Sequence, residues 1–228
     1  MPFANPLSEA DVAAASDALA LPPGALVLET GCGAAELLIR VLERHPDARG
    51  IAVDPDPDWL ARARAAADER LPGRDVRFVA ATADGAGLGR GGHDAVINVA
   101  SSHAHGGFPD ALAALRGLVR DGGAVLFGEG FWAREPSPAF LDALGGATRD
   151  ELPDHDGLLA AARAAGFDVA FEARATEADW ERYETTLARQ AEAAGGDDAL
   201  AYARRIRERR ALPHGTDTLG FALLVLRA

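Results

Sequence analysis

The sequence predicts an α/β fold built on one doubly wound, mostly parallel sheet. Five short apolar runs typical of buried strands lie between residues 25 and 130. Amphipathic segments with helical spacing separate most of them, and the loops between are short. Because parallel strands need crossover connections on both faces of the sheet, this alternation favours the doubly wound arrangement.

The predicted elements follow one another along the whole chain. A first helix is predicted over 8–20, with Ser8 as N-cap, and Leu-Pro-Pro-Gly at 21–24 ends it. The predicted strands are 25–31, 50–54, 76–81, 94–100, 124–130, 169–175 and 219–227. The other predicted helices are 34–45, 57–71, 108–119, 156–167 and a helical stretch over 176–212 that breaks at Gly195 and Gly196. The chain therefore supplies seven strands for one sheet.

We expect a single domain over residues 1–228. A chain of 228 residues suits one full core, and it shows no internal repeat. Within it we expect an N-terminal helical arm (1–22), a sheet core (23–175 and 217–228) and a helical insertion (176–216) that acts as a lid.

Composition and charge exclude several functions. The 23 basic and 35 acidic residues give a net charge of −12, which repels nucleic acids and anionic membranes. The chain contains no lysine, so neither a P-loop nor a pyridoxal Schiff base is available. The single Cys32 fits a reducing cytosol, and no signal peptide or spanning segment is recognisable. We expect a cytoplasmic monomer or homodimer with a small-molecule substrate.

The loop after the first predicted strand has the features of a cofactor site. It reads Leu-Glu-Thr-Gly-Cys-Gly, and Gly31 and Gly33 allow a tight turn with close approach of a ligand. A dinucleotide fingerprint would require a third glycine at position 36, where this chain has Glu36. A carboxylate there would repel a pyrophosphate, so an NAD(P)-dependent oxidoreductase is the weaker alternative.

Carboxylates surround this predicted site. Glu29 precedes the glycines, Asp54 ends the second strand, and Asp84 follows the third. A carboxylate in the position of Asp54 can accept both hydroxyls of a ribose. The three acids together suit a cofactor that carries positive charge and no phosphate.

With these motifs the sequence resembles the class I S-adenosylmethionine-dependent methyltransferases. The resemblance rests on Val-Leu-Glu-Thr-Gly-Cys-Gly-Ala-Ala, Ala-Val-Asp-Pro-Asp, Ala-Thr-Ala-Asp-Gly and His-Asp-Ala-Val-Ile-Asn-Val-Ala-Ser-Ser-His-Ala, in that order. It implies a Rossmann-like sheet of seven strands with the last one antiparallel, and S-adenosyl-L-methionine as cofactor. It departs from the family at Ala35, where a third glycine is frequent.

The resemblance also implies the cofactor contacts. Glu29 and the loop backbone would hold the methionine moiety, Asp54 the ribose and Asp84 the adenine. The full predicted set is Glu29, Gly31, Cys32, Gly33, Ala35, Asp54, Pro55, Ala83, Asp84 and Ala100.

The loop Ser-Ser-His-Ala-His after the fourth strand carries the predicted chemistry. His103, His105 and Glu129 are the candidate catalytic residues, with His103 favoured as general base. Two alternatives stay open: the three side chains bind a metal, or the loop is only a polar turn. We predict no metal site, because residues two apart on a loop need a specific bend.

Aromatic residues outside the predicted core are candidates for acceptor binding. We predict that Phe3, Asn5, Trp132, Trp180 and Tyr183 contact the substrate. An arginine run over 204–210 is either a solvated helix face or a surface for an anionic ligand. The predicted function is methyl transfer to a small molecule, with an O-, N-, S- or C-nucleophile left open, and the second alternative is a non-catalytic cofactor-binding module.

Overall fold

The computed structural model describes residues 3–108 and 110–228. Its strands are β1 Leu26–Thr30, β2 Arg49–Asp54, β3 Val76–Ala80, β4 His93–Val99, β5 Val119–Trp132, β6 Asp168–Arg174 and β7 Leu219–Arg227. Its helices are α1 Glu9–Ala18, α2 Glu36–Arg44, α3 Pro57–Arg70, α4 Asp110–Leu118, α5 Pro138–Ala143, α6 His155–Ala164, α7 Glu177–Ala194 and α8 Asp197–Ala211. Residue 109 of the predicted helix 108–119 and residues 1–2 of the predicted arm lie outside the described residues.

The seven strands form one sheet in the order β3-β2-β1-β4-β5-β7-β6. The pairs β1–β2, β1–β4, β2–β3 and β4–β5 are parallel. The predicted doubly wound α/β sheet with an antiparallel last strand is therefore confirmed. Strand order reverses next to β1, so the carboxyl ends of β1 and β4 flank the switch point where such sheets bind ligands.

Local sequence explains the elements beside this edge. Helix α2 buries Leu38, Ile39 and Leu42, which recur at helical spacing, against the sheet. Helix α3 begins at Asp56, whose carboxylate accepts hydrogen bonds from the backbone amides of Asp58 and Trp59. Helix α2 follows β1 and helix α3 follows β2, so each helix fixes the loop at the carboxyl end of the strand before it.

Two elements differ from the sequence prediction. Strand β5 has 14 residues and begins at Val119, whereas the prediction started it at residue 124. Its register against β4 shifts between His93 and Ala95, and the polar Arg-Asp-Gly-Gly stretch there masked the strand. Helix α5, of six residues, was not predicted; Ser137 caps it by accepting from the Phe140 amide.

Residue contacts divide the chain into two compact units. The first comprises the N-terminal residues to Ser8, 130–158 and 174–222, and the second comprises 9–129, 159–173 and 223–228. The second unit contains β1–β4 and most of β5. In the first unit α7 and α8 pack through Ala188, Ala203 and Ile206. The predicted single domain, with its arm, core and insertion, stays a prediction.

Within residues 3–108 and 110–228, none of the helices combines the length and the apolar character that crossing a membrane requires.

Candidate active site

The loop from β1 to α2 is held in a conformation that needs glycine. Gly31 and Gly33 have φ of 64° and 51°, in the left-handed region. A Cβ on Gly31 would lie 2.6 Å from the Cβ of Ser101, whereas a Cβ on Gly33 would meet nothing within 4 Å. The loop therefore packs against the residue after β4 at Gly31 and leaves open space for a ligand at Gly33.

The Asp54 carboxylate fixes this loop from the end of β2. Its Oδ2 accepts a hydrogen bond from the Gly33 amide at 2.8 Å, and its Oδ1 accepts from the Asp56 amide at 2.9 Å. Only 9% of Asp54 is exposed. Each carboxylate oxygen has a second lone pair, so the group retains capacity for two hydroxyl donors.

The Glu29 carboxyl group lies at the end of β1 and contacts the first turn of α2. Glu29 is buried, and its Oε2 accepts from the Leu38 amide at 3.2 Å, in the first turn of α2. Glu29 thereby accepts from a free amide of the first helical turn, because the N-cap residue Ala35 has no polar side chain that could do so. Burial raises the pKa of Glu29 to about 8, and the charges of Glu36 and Asp54 add to this shift.

The chain has Ala35 and Glu36 at two positions where related motifs have glycine. Ala35 is fully buried with φ 55° and ψ 29°, a conformation that glycine adopts without strain. Glu36 opens α2 and pairs with Arg40 and Arg70, each at 2.6 Å. The first turn of α2 thus already carries a carboxylate, which disfavours a dinucleotide pyrophosphate at this helix N-terminus.

The remaining predicted cofactor residues lie at the same edge of the sheet. Pro55 follows β2, Ala83 and the exposed Asp84 lie in the turn after β3, and Ala100 follows β4. Ala100 has φ 53°, a further strained alanine at the end of a strand. Cys32 is buried, and burial raises the pKa of its thiol, so the thiol stays protonated at neutral pH. All ten predicted positions belong to the second unit.

A hydrogen-bond network that sequence reasoning missed joins β1 to β4 at this edge. The His105 Nε2 lies 3.0 Å from the Thr30 hydroxyl. The Asn98 amide donates to that hydroxyl at 3.0 Å and to the Ser101 carbonyl at 3.1 Å. The Ser101 hydroxyl donates to the Gly31 carbonyl at 3.1 Å. A polar asparagine within the apolar run of β4 was the available signal.

The three predicted catalytic residues occupy different surroundings. His105 is half-buried against Thr30, His103 is exposed on the same short 3₁₀ turn (Ser102–His105), and Glu129 is buried on β5. Burial lowers the pKa of His105, and the Asp84 carboxylate opposes this shift. In the described part of the chain, no three His, Cys, Asp or Glu side chains come close enough to hold a metal ion.

The predicted acceptor-binding residues all belong to the first unit. Phe3 and Asn5 are buried, and the Tyr183 hydroxyl donates to the Ala4 carbonyl at 2.9 Å. The Trp132 indole donates to the Arg149 carbonyl at 2.8 Å. Trp180 packs edge-on to Tyr183, with 6.1 Å between ring centroids.

Two of these residues line a cavity of about 500 Å³ that lies entirely within the first unit. Its apolar wall is formed by Phe131, Trp132 and Trp180. Its polar lining includes Asp154, His155, Arg174, Glu177 and Asp217. The Trp180 Nε1 is buried, and no described residue accepts a hydrogen bond from it.

Four of the five arginines in the run of α8 pair with acids of the first unit. Arg209 and Arg210 both donate to the buried Glu184 of α7. Arg207 pairs with Glu192, and Arg204 lies 3.8 Å from Glu208. These pairs favour the solvated, internally compensated helix face over a surface for an anionic ligand.

Comparisons with known proteins identify the class. Residues 27–123 match a family model described as "Methyltransferase domain". A methyltransferase structure from Thiobacillus denitrificans, solved with S-adenosylhomocysteine, is 25% identical and superposes with a TM-score of 0.77 over 99% of this chain and 94% of its own. One from Geobacter sulfurreducens, also with S-adenosylhomocysteine, is 24% identical with a TM-score of 0.82 over 98% and 92%. Residues 27–123 are a class I methyltransferase domain.

The chain is also similar to an uncharacterised Escherichia coli protein, YjhP. The two are 27% identical over 98% of this chain and 93% of YjhP. The crystal structure of YjhP superposes with a TM-score of 0.83 over 99% of this chain and 95% of YjhP. The Geobacter and Thiobacillus structures hold S-adenosylhomocysteine, the demethylated form of S-adenosyl-L-methionine, in agreement with the cofactor that the sequence predicted.

Proposed function

We propose that this methyltransferase transfers the methyl group of S-adenosylmethionine to a small-molecule acceptor in the cytoplasm. The observation that carries the proposal is the Asp54–Gly33 hydrogen bond, which joins the glycine loop after β1 to the acid that ends β2. It holds the backbone of the Gly31–Ala35 loop beside the Asp54 carboxylate, and we call these residues the rim of the site. Backbone amides next to carboxylates suit a cofactor that has a ribose and a cationic amino-acid tail.

The residues at the rim fit this cofactor in shape and charge. The open space at Gly33 admits a ligand against the backbone. Asp54 lies beside the loop and Asp84 at the outer turn, so their charges attract the ammonium and sulfonium groups. Glu29 supplies a hydrogen-bonding carboxyl group at the end of β1. We assign the methionine moiety to Glu29 and the Gly31–Ala35 loop, the ribose to Asp54 and Pro55, and the adenine to Ala83 and Asp84, with Ala100 closing the site.

Bound S-adenosylmethionine supplies an activated methyl group, and the protein has to place the acceptor in line and exclude water. Of the proposed catalytic residues, His105 is the one held against β1, through Thr30. We retain His103, in the turn after β4, and Glu129, on β5, as further catalytic candidates.

Charge and lining residues support a small-molecule acceptor. A net charge of −12 opposes binding to nucleic acid phosphates, which need basic surfaces. The aromatic cavity of the first unit has the volume of a metabolite site, and Trp132 and Trp180 line it. We assign Phe3, Asn5 and Tyr183, which belong to the same unit, as further residues that contact the acceptor. We infer that the protein acts as a monomer or homodimer.

Labelled methyl transfer tests the proposal. The purified protein is incubated with methyl-labelled S-adenosylmethionine and metabolite extracts, and labelled products are identified by mass spectrometry. The proposal predicts a labelled product below about 1 kDa, typical of metabolites, that the Asp54→Asn variant forms much more slowly. Label found only in added RNA, DNA or protein would overturn the small-molecule assignment. Cofactor binding without transfer to any extract would favour the non-catalytic binding module.

A further inference from the structure

We propose that Thr30 and Asn98 hold His105 as a neutral imidazole whose hydrogen is on Nδ1, so that His105 offers a ligand in this site a hydrogen-bond donor rather than a general base. The inference rests on the proposed function only for the nature of that ligand. The hydrogen-bond assignment itself follows from the geometry of the protein alone.

The Asn98 amide can be oriented in only one way. Its nitrogen lies 3.1 Å from the Ser101 carbonyl and 3.4 Å from the Thr30 carbonyl, and both of these groups only accept hydrogen bonds. The reverse orientation would place the Asn98 oxygen against two carbonyl oxygens. Asn98 therefore turns its amide nitrogen, which cannot accept a hydrogen bond, toward the Thr30 hydroxyl, 3.0 Å away.

The Thr30 hydroxyl can then donate its hydrogen to one described acceptor. Thr30 is fully buried, and among the described residues the His105 Nε2, at 3.0 Å, is the acceptor within reach. If Nε2 carried a hydrogen instead, it would donate to the Thr30 oxygen and leave the hydroxyl hydrogen buried without a partner. The free-energy cost of such an unpaired group corresponds to a preference of about 5- to 150-fold for hydrogen on Nδ1.

The same contact opposes protonation of His105. Imidazolium carries hydrogens on both nitrogens, so charging the ring would place a donor on Nε2 opposite the Thr30 hydroxyl. The lowered pKa of His105 agrees in direction, although the neighbouring Asp84 carboxylate acts against it. The nitrogen turned away from Thr30 thus presents N–H, which suits a carbonyl, carboxylate or phenolate oxygen of the ligand.

His105 and His103 are two residues apart, but only the ring hydrogen of His105 is fixed by a hydrogen bond from a described hydroxyl. His103 is exposed, and no hydroxyl of the described residues donates a hydrogen bond to its ring. Thr30 and Asn98 act through His105, so we class both as positioning residues.

Nitrogen NMR of the imidazole rings in the free protein tests the proposal. Long-range ¹H–¹⁵N spectra at neutral pH distinguish a protonated, pyrrole-type nitrogen from an unprotonated, pyridine-type one, and His105→Gln assigns the signals. We expect pyrrole-type Nδ1 and pyridine-type Nε2 for His105. A pyridine-type Nδ1, or a charged ring at pH 7, would overturn the proposal.

Two Thr30 variants provide the matched comparison. Thr30→Val removes the hydroxyl and keeps the shape, so the Nδ1–H preference should fall by about fivefold or more and the pKa should rise. Thr30→Ser keeps the hydroxyl and should keep both properties. Equal spectra for the Val and Ser variants would show that Thr30 does not set the tautomer. Because these spectra need neither cofactor nor acceptor, their outcome is independent of whether the methyl-transfer assay succeeds.

Discussion

The backbone of Gly31 lies against the side chain of Ser101. A Cβ on Gly31 would lie 2.6 Å from the Ser101 Cβ, and the Ser101 hydroxyl donates to the Gly31 carbonyl at 3.1 Å. The loops that follow β1 and β4 are therefore fitted to one another at the switch point of the sheet. The proposed cofactor site depends on this contact, because Gly31 begins the loop whose Gly33 amide donates to Asp54.

Gly31→Ala should destabilise the protein more than Gly33→Ala. Both substitutions strain a left-handed residue by about 1–2 kcal/mol. Gly31→Ala also forces Ser101 to move, which adds about 1–3 kcal/mol. Urea unfolding of the two variants measures the difference, and Gly33→Ala is the control because a Cβ there meets nothing within 4 Å. Equal losses of unfolding free energy would show that the loops can separate freely.

Glu29→Gln should change how stability depends on pH. Because burial raises the pKa of Glu29 to about 8 in the folded protein, the folded state holds a proton that the unfolded chain releases above its ordinary value of 4.5. Glu29 therefore lowers stability as pH rises from about 5 to about 8, by on the order of a few kcal/mol at most. Glutamine can still accept from the Leu38 amide and carries no charge.

Urea unfolding at pH 5.5 and 8.5 checks this expectation, with both values chosen roughly to bracket the shift. The variant should gain stability relative to the wild type at the higher pH. Asp47→Asn, at an exposed loop position, is the control and should follow the wild-type pH dependence. If the curves for wild type and Glu29→Gln stay parallel, the Glu29 carboxyl is ionised throughout this range.

Asp54→Asn should weaken binding of S-adenosylhomocysteine by about tenfold or more. Both oxygens of Asp54 accept backbone hydrogen bonds, so the amide group of asparagine would face one of two N–H donors. Hydrogen bonds to a charged group are worth about 1.5–3 kcal/mol, which sets the scale of the loss. Calorimetric titration measures the affinity, with Asp47→Asn as the matched control. An unchanged dissociation constant would remove Asp54 from the cofactor site.

Glu184→Gln should destabilise the protein far more than Glu192→Gln. Glu184 is buried and pairs with Arg209 and Arg210, so its loss leaves a buried guanidinium uncompensated, at a cost of about 3–5 kcal/mol. Glu192 pairs with the exposed Arg207, and such pairs contribute about 1 kcal/mol or less. Thermal unfolding of both variants distinguishes them. Similar melting temperatures would indicate that α7 and α8 do not depend on the buried pair.

Hydrophobic periodicity predicted the α/β sheet and most of its elements, and the family resemblance added the antiparallel last strand. Apolar runs located the strands, and the parallel order then placed Glu29, Asp54 and Asp84 at one edge. Periodicity missed α5, since six residues are too short to show a pattern. It also started β5 late, because a register shift interrupts the apolar alternation.

The hydrogen bonds of the site could not be predicted in the same way. His103 and His105 look equivalent in sequence, and only the bend of a 3₁₀ turn brings His105 rather than His103 to Thr30. Thr30 itself reads as a strand residue of the core. Side-chain contacts between loops depend on local geometry that spacing along the chain does not encode.

Calorimetric titration of the wild-type protein with S-adenosylhomocysteine tests the central claim most directly, because every site assignment depends on cofactor binding at the Gly31–Ala35 loop. The structure predicts saturable binding with one ligand per chain and a dissociation constant below about 1 mM, with no comparable heat from NAD. Absence of binding at millimolar S-adenosylhomocysteine, or tighter binding of NAD, would contradict it.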